Sequence, residues 1–142
     1  DTPKVEGDPT QIEQVLLNLM INAVHAMPDG GQLSIETAAA RLSRHESRVY
    51  EIVPGRYAML SVRDTGKGMD RQTQKQIFEP FFTTKEGSQG TGLGLAITYG
   101  LVQKLHGDIT VKSKLDEGTT FTITLPTRIQ KELIENEGPV GR

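Results

Sequence analysis

The sequence predicts one α/β (α+β) domain in which helices and strands follow one another along 142 residues. Two observations carry this prediction. Segments in which apolar and polar residues alternate, as in half-buried strands, occur in two pairs. Longer apolar stretches bounded by helix start and stop signals lie before and between those pairs. A chain of this length can bury a single sizeable core.

The first helix is predicted to begin after Asp8 and to end near Met27. Asp8 is a suitable N-cap, Pro9 occupies the first helical position, and the run at residues 28–31 (Pro-Asp-Gly-Gly) ends the helix. Five polar residues fall at spacings of three and four and form one amide-rich stripe: Gln11, Gln14, Asn18, Asn22 and His25. The stripe either faces water or lines a site. Solvated helix faces are usually charged and asparagine is a poor helix former, which favours a site.

Two alternating segments, 32–37 and 57–63, are predicted to pair as strands, with a long polar hairpin connection over 38–56. Asp64 follows the second strand directly, and the next glycines, at positions 66 and 68, permit a tight turn. A carboxylate in this position is suited to accept hydrogen bonds in a pocket. An ordinary Asp-X-Gly turn is the alternative interpretation.

A short helix is predicted over 70–78, and two adjacent phenylalanines, Phe81 and Phe82, follow it. We expect these two side chains to hold a neighbouring loop against the core. The glycine-rich run at 90–95 (Gly-Thr-Gly-Leu-Gly-Leu) then leads into an apolar stretch, which predicts a helix from about Leu93 to Leu105. Closely spaced glycines before a helix N-terminus favour a phosphate ligand, although a flexible loop before a core helix would look the same.

The last strands are predicted over 108–113 and 119–125, with Pro126 closing the domain. Residues 127–142 are polar and predict a frayed helical turn followed by a disordered tail. We therefore expect a domain over 1–126 and a tail over 127–142.

Composition excludes several classes of function. The net charge is −2 without runs of like charge, so we expect neither a nucleic-acid partner nor direct membrane contact. Cysteine is absent, which excludes disulfides and thiolate chemistry. The apolar runs are far too short for a membrane span and no signal-peptide pattern begins the chain, which predicts a cytoplasmic domain. The first residue is not Met, and we expect the chain to be part of a longer protein.

Five motifs, in this order, together resemble the N, G1, F, G2 and G3 boxes of sensor histidine kinases: Asn18–Ala23, Asp64–Gly68, Phe78–Phe82, Gly90–Leu95 and Gly118–Phe121. The resemblance covers nearly everything from Val5 to Pro126. These kinases belong to the GHKL superfamily, with DNA gyrase, the heat-shock chaperone ATPases and the mismatch-repair ATPases. The resemblance implies the Bergerat ATP-binding fold, a two-layer sandwich in which about three helices cover one face of a mixed sheet, with an ATP lid over about 69–91.

The resemblance also implies roles for individual residues. Asn22 is similar to the residue whose side-chain oxygen holds Mg²⁺, and Asp64 to the carboxylate that accepts a hydrogen bond from the adenine amine. Asn18, His25 and Lys85 are expected near the phosphates and, with Asn22, to be catalytic. The remaining residues expected to bind ATP are Gly66, Gly68, Phe82, Gly90, Thr91, Gly92, Leu93, Gly94, Leu95 and Thr120.

The activity implied is transfer of the γ-phosphoryl group of ATP to a histidine on a separate dimerisation domain, with a response regulator as the indirect partner. The superfamily's ATPases carry a glutamate one turn before the metal-binding asparagine, and this glutamate activates water. This chain has Asn18 at that position, and an amide cannot act as a base, which favours phosphoryl transfer over hydrolysis. The alternatives are a GHKL-type ATPase or serine kinase, and a module that only senses ATP. The short span between Phe82 and Gly90 resembles the nitrogen-regulation class.

The phosphoacceptor histidine itself is not expected in this chain. His45 is followed by a glutamate, as in the acceptor motif, but the residues after it depart from that motif, and we interpret the pair as surface. His106, next to Gly107, is interpreted as part of a helix end. Because dimerisation in the family depends on the missing helical hairpin, we expect the isolated domain to be a monomer.

Overall fold

A computed structural model describes residues 3–45, 53–82 and 94–137. The helices are α1 (Pro9–Ala26), α2 (Arg71–Gln76), α3 (Gly94–Lys104) and α4 (Arg128–Glu137), and the strands are β1 (Leu33–Leu42), β2 (Gly55–Asp64), β3 (Asp108–Lys114) and β4 (Gly118–Pro126). This is the α+β architecture that the sequence predicts. Within the described residues, no helix is both long enough and apolar enough to cross a membrane.

The four strands form one sheet in the order β1-β2-β4-β3. All three pairings are antiparallel, so within the described residues the expected mixed sheet is corrected to an antiparallel one. The reason lies in the connections. β3 and β4 are joined by a tight hairpin, β1 and β2 are consecutive antiparallel neighbours, and β4 lies beside β2 in the opposite direction.

The main core lies between one face of the sheet and the helices. Strand alternation turns Val62, Phe121 and Ile123 to this face, where they meet Val15 and Leu19 of α1. Val102 of α3, Ile109 of β3 and Ile77 complete the buried cluster. Each of these side chains is at most 6% exposed, so small changes of volume here are expected to be costly.

The first helix begins as predicted. The Asp8 side chain accepts a hydrogen bond from the backbone N–H of Thr10 at 2.9 Å, and Pro9 is the first helical residue. At the other end, the Ala26 carbonyl accepts from the backbone N–H of Lys67 at 3.0 Å. The C-terminus of α1 is therefore satisfied by the loop that follows β2, which fixes that loop against the helix.

Two elements differ from the sequence prediction. β1 continues through residues 38–42, which the sequence predicts as part of the connection, because each of them pairs with a residue of β2. Residues 128–137 form a ten-residue helix instead of a frayed turn. Gln130 explains this helix: it is 3% exposed, and its Nε2 donates to the Pro54 carbonyl at 2.9 Å.

Candidate functional site

The amide stripe of α1 contains two asparagines one turn apart, and both are half-buried. Asn18 Nδ2 donates to the Gly94 carbonyl at 3.2 Å and to Thr98 Oγ1 at 3.3 Å, while its Oδ1 accepts from Gln14 Nε2 at 2.8 Å. The Asn22 amide, by contrast, has no hydrogen-bond partner among the described residues. Asn18 is thus engaged within the protein, whereas the Asn22 oxygen is available to a ligand.

Of the other two side chains predicted near the phosphates, His25 lies within the described residues and Lys85 does not. His25 lies in the last turn of α1, on the same stripe as Asn22, and is half-buried. Lys85 lies outside the described residues. His45, whose following glutamate also lies outside the described ranges, is exposed, as the surface interpretation predicts.

Asp64 ends β2 and is only 3% exposed. Its Oδ1 accepts a hydrogen bond from the backbone N–H of Gly66 at 2.8 Å. Burial raises the pKa of the Asp64 carboxyl above its ordinary value of 3.8, and hydrogen bonds from the backbone of Gly66 and Thr119 offset part of that rise. A buried acceptor that keeps lone pairs free can recognise a donor on a ligand.

This pKa predicts how stability depends on pH. A raised native pKa means that the folded protein binds the Asp64 proton more tightly than the unfolded chain does. The stabilisation from the protonated carboxyl is fully present below 3.8 and is lost as the pH rises through the native pKa. Compared with Asp64→Asn, which does not titrate there, wild-type protein is expected to lose unfolding free energy as the pH rises from 3.8 through the native pKa of Asp64. Urea unfolding of both proteins across this range is the measurement, and a pH-independent difference would contradict it.

The loop after Asp64 is held closely on two sides. A Cβ at Gly66 would lie 2.3 Å from the Ala26 carbonyl oxygen, so the loop touches the end of α1. Gly68 has a φ of +65°, and a Cβ there would lie 1.8 Å from the Lys114 carbonyl oxygen, next to the β3–β4 turn. These approaches place Asp64 beside the end of α1, one turn beyond Asn22.

The predicted adenine contact Thr120 does not share a sheet face with Asp64. Thr119 pairs with Asp64 across the β2–β4 ladder and lies on the same sheet face, whereas Thr120 pairs with Arg63 and lies on the opposite face. The residue beside Asp64 is therefore Thr119, which is 5% exposed. The sequence contained the signal: Phe121 has to face the core, and a strand period of two gives Thr119, not Thr120, the same face.

A second network, which sequence reasoning missed, fixes the segment after Gly68. Ser113 Oγ accepts from the backbone N–H of Met69 at 2.8 Å and lies 2.8 Å from Thr119 Oγ1. Gln74 Nε2 donates to the carbonyls of Met69 and Ser113 at 3.0 and 3.2 Å. No pattern in the sequence signals this network, because Ser113 is 44 residues from Met69 and 39 residues from Gln74.

The segment between α2 and α3 is described only at its ends. Phe82 is half-buried and packs against the core, as predicted, and Leu95 also packs there. Phe81 is 74% exposed and has a φ of +67°, so only one of the two phenylalanines holds the segment to the core. Gly94 is the first residue of α3. The predicted ligands Gly90, Thr91, Gly92 and Leu93 lie outside the described residues.

Comparison with known proteins identifies the class. Residues 7–129 match the family model described as histidine kinase-, DNA gyrase B-, and HSP90-like ATPase. The chain is 42% identical over 138 residues to the sensor kinase CckA of Brucella abortus, covering 96% of this chain and 14% of CckA. It is 36% identical over 130 residues to the sensor histidine kinase ZraS of Escherichia coli, covering 92% of this chain and 24% of ZraS.

Solved structures of histidine kinases are also similar to this chain. The mycobacterial sensor histidine kinase MprB is similar at a TM-score of 0.66 and 32% identity, over 87% of this chain and 75% of that one. The catalytic domain of histidine kinase ThkA is similar at a TM-score of 0.64 and 30% identity, over 87% of this chain and 71% of that one.

The fold and the family match together define the class of domain: the chain belongs to the histidine kinase-, DNA gyrase B-, and HSP90-like ATPase family. Within that family it is a histidine kinase catalytic domain of the sensor-kinase type. The chain spans between 14% and 24% of the length of the curated relatives CckA and ZraS.

Proposed function

We propose that this domain binds Mg²⁺-ATP and supplies the γ-phosphoryl group to a histidine on a separate dimerisation domain. One observation carries the proposal: α1 contacts both the loop that carries Asp64, the proposed adenine contact, and the N-terminus of α3, the proposed phosphate contact. The Lys67 N–H to Ala26 carbonyl bond brings the Asp64 loop to one end of α1. The Asn18 bonds bring the N-terminus of α3 to the same helix one turn before Asn22.

Asp64 is the proposed adenine contact. Its buried carboxylate would accept a hydrogen bond from the exocyclic amine of adenine, while Gly66 and Gly68 let the backbone pass close to the base. Guanine presents a carbonyl oxygen at that position, which would place acceptor against acceptor. A site built to pair with a donor rejects such an analogue strongly, so ATP is expected to be preferred over GTP.

Asn22 is the proposed protein ligand to Mg²⁺. Its amide is half-buried and has no hydrogen-bond partner among the described residues, which suits an oxygen ligand. The described residues contain no group of three or more His, Asp or Glu side chains placed to hold a metal together. The proposed site therefore combines the Asn22 oxygen with phosphate oxygens and water, the ligand set that Mg²⁺ prefers with nucleotides. When bound, Mg²⁺ would neutralise charge on the phosphates.

The proposed reaction needs little chemistry from the protein. An imidazole nitrogen of the acceptor histidine attacks the γ-phosphorus, a nitrogen–phosphorus bond forms, and the bond to the β–γ bridging oxygen breaks as ADP leaves. Positioning and electrostatics carry most of the catalysis in such transfers. His25 and Lys85 are proposed to contact the phosphates. The same role is proposed for residues 90–93 and for Gly94 and Leu95 in the N-terminal turn of α3. Phe82 would hold the start of the proposed lid, at about 69–91.

The names of the relatives support a proposal about partners. CckA and ZraS carry the names of sensor kinases, and we propose that the parent of this chain works in two-component signalling, with a response regulator receiving the phosphoryl group from the histidine. We further propose that the domain over 1–126 is monomeric when isolated, acts in the cytoplasm and belongs to the nitrogen-regulation class.

The test is label transfer from γ-labelled ATP. This domain is mixed with the helical segment that carries the histidine in its parent protein, in the presence of Mg²⁺, with Asp64→Asn as the matched control. Acid-labile, base-stable label on the helical segment supports the proposal. Label released only as inorganic phosphate favours an ATPase, and ATP binding without turnover favours a sensing module.

Asn22→Ala is expected to remove the gain in ATP affinity that Mg²⁺ provides. Wild-type protein should bind ATP about tenfold more tightly with Mg²⁺ than with a chelator, because the amide oxygen and the phosphates share the ion. The variant should show nearly equal affinities in both conditions, as measured by isothermal titration calorimetry. Gln11→Ala, a substitution on the same stripe near the N-terminus of α1, is the control. An undiminished Mg²⁺ effect in Asn22→Ala would remove the metal assignment.

A further inference from the structure

A chain of side-chain hydrogen bonds crosses from α1 to the first turn of α3. Asn18 Nδ2 donates to the Gly94 carbonyl and to Thr98 Oγ1, and Thr98 Oγ1 itself donates to the Gly94 carbonyl at 2.9 Å. Gln14 Nε2 donates to Asn18 Oδ1 from one turn earlier on α1. Two donors, one from α1 and one from α3, therefore converge on the carbonyl of Gly94, the first residue of α3.

The bonding capacity of these groups limits what they can do. An asparagine amide has two N–H donors, and both donors of Asn18 have acceptors on α3. Asn18 can therefore donate to a phosphate only by breaking the connection to α3. Thr98 is fully buried, its one hydroxyl donor bonds to the Gly94 carbonyl, and its oxygen accepts from Asn18. Neither side chain has a free donor for a ligand.

We propose that Asn18 and Thr98 are positioning residues: they fix the N-terminal turn of α3 against α1, in a set register with Asn22. The proposal rests on the proposed function and deepens it, since it replaces a direct catalytic role for Asn18 with an indirect one. The first N–H groups of α3 have no acceptor within the helix and can donate to the phosphates, and Asn22 offers an oxygen to the ion. A shift between the two helices would separate these groups.

The position of the α1–α3 network predicts that binding of one part of the nucleotide depends on it more than binding of the other. Asp64, the proposed adenine contact, is held by Gly66 and by the backbone of Thr119, and neither bond involves α3. Loss of the α1–α3 connection should therefore weaken binding of the triphosphate and spare binding of the nucleoside. A general loss of folding would weaken both, so the ratio of the two affinities separates positioning from stability.

The decisive variant is Thr98→Val, which keeps the shape of the side chain and removes the hydroxyl. We expect the Kd for Mg²⁺-ATP to rise about fivefold, within the range of one lost hydrogen bond, and the Kd for adenosine to change less than twofold. Thr98→Ser keeps the hydroxyl and should restore most of the ATP affinity. Thr122→Val, a threonine exchange on the opposite face of the sheet, controls for loss of a hydroxyl elsewhere.

The measurement is calorimetry with Mg²⁺-ATP and with adenosine on the 142-residue chain, with thermal unfolding of each variant in parallel. Equal loss of both affinities in Thr98→Val, or unchanged ATP affinity, would overturn the positioning role. A failure of the proposed function looks different, because wild-type protein itself would then bind neither ligand. Selective loss of ATP affinity that Thr98→Ser rescues would support the inference.

Discussion

Asp64→Asn is expected to weaken binding of both ATP and adenosine by about 10- to 100-fold, in keeping with the loss of one hydrogen bond to a charged group. The wild-type carboxylate offers only acceptors to a ligand. The asparagine amide removes the negative charge and places an N–H₂ group among the acceptors. Its near-identical shape preserves packing in a position that is 3% exposed. Calorimetric titration of both ligands at neutral pH is the measurement.

The matched control is Asp116→Asn, which makes the same chemical change at an exposed residue of the β3–β4 turn. Asp116 has a φ of +63°, a conformation that asparagine tolerates well, so the exchange should leave both affinities unchanged. The adenine assignment also requires that GTP bind far more weakly than ATP to wild-type protein. Affinities within twofold of wild type in Asp64→Asn would rule the assignment out.

The parts of the fold that the sequence predicts are those encoded by neighbours along the chain. The Asp8 cap, the proline after it and the alternation in β2 to β4 are local signals, and the structure forms the corresponding elements. The C-terminal helix was missed because the contact that holds it is not local. Gln130 is buried and donates a hydrogen bond to Pro54, 76 residues away. The extension of β1 was missed for a similar reason, since alanines at 38–40 are weak strand formers that pair because β2 lies alongside.

The candidate site divides in the same way. Asp64 could be predicted because a carboxylate directly after a strand and before glycine is a local pattern, and its burial follows from the strand it ends. Thr119, and not the predicted Thr120, lies on the same sheet face as Asp64, which strand periodicity alone could have indicated. The partners of Asn18 could not be predicted, because Gly94 and Thr98 are 76 and 80 residues away and no covalent constraint links them.

Gly68→Ala is expected to destabilise the domain by about 2–5 kcal/mol, the sum of two separate costs. A non-glycine residue at a φ of +65° costs about 1–2 kcal/mol. The added Cβ would lie 1.8 Å from the Lys114 carbonyl oxygen, a backbone atom within β3 that cannot rotate away, and such overpacking typically adds about 1–3 kcal/mol. Urea unfolding gives the change in free energy directly. Gly100→Ala is the control, because a Cβ there meets nothing within 4 Å and alanine favours the helix interior.

The same substitution should also affect ligand binding, because the neighbouring residue is held on both sides. The Lys67 carbonyl accepts from the Asp116 N–H at 2.7 Å, and the Lys67 N–H donates to the Ala26 carbonyl at 3.0 Å. A shift of Gly68 away from Lys114 has to stretch one of these bonds and move the turn that orients Asp64 through Gly66. In the fraction of Gly68→Ala that remains folded, adenosine affinity should therefore fall together with ATP affinity, unlike in Thr98→Val. A Gly68→Ala protein as stable as wild type would show that the loop has room to move. The close packing of this loop against Lys114 and α1 would then not be what fixes the adenine contact.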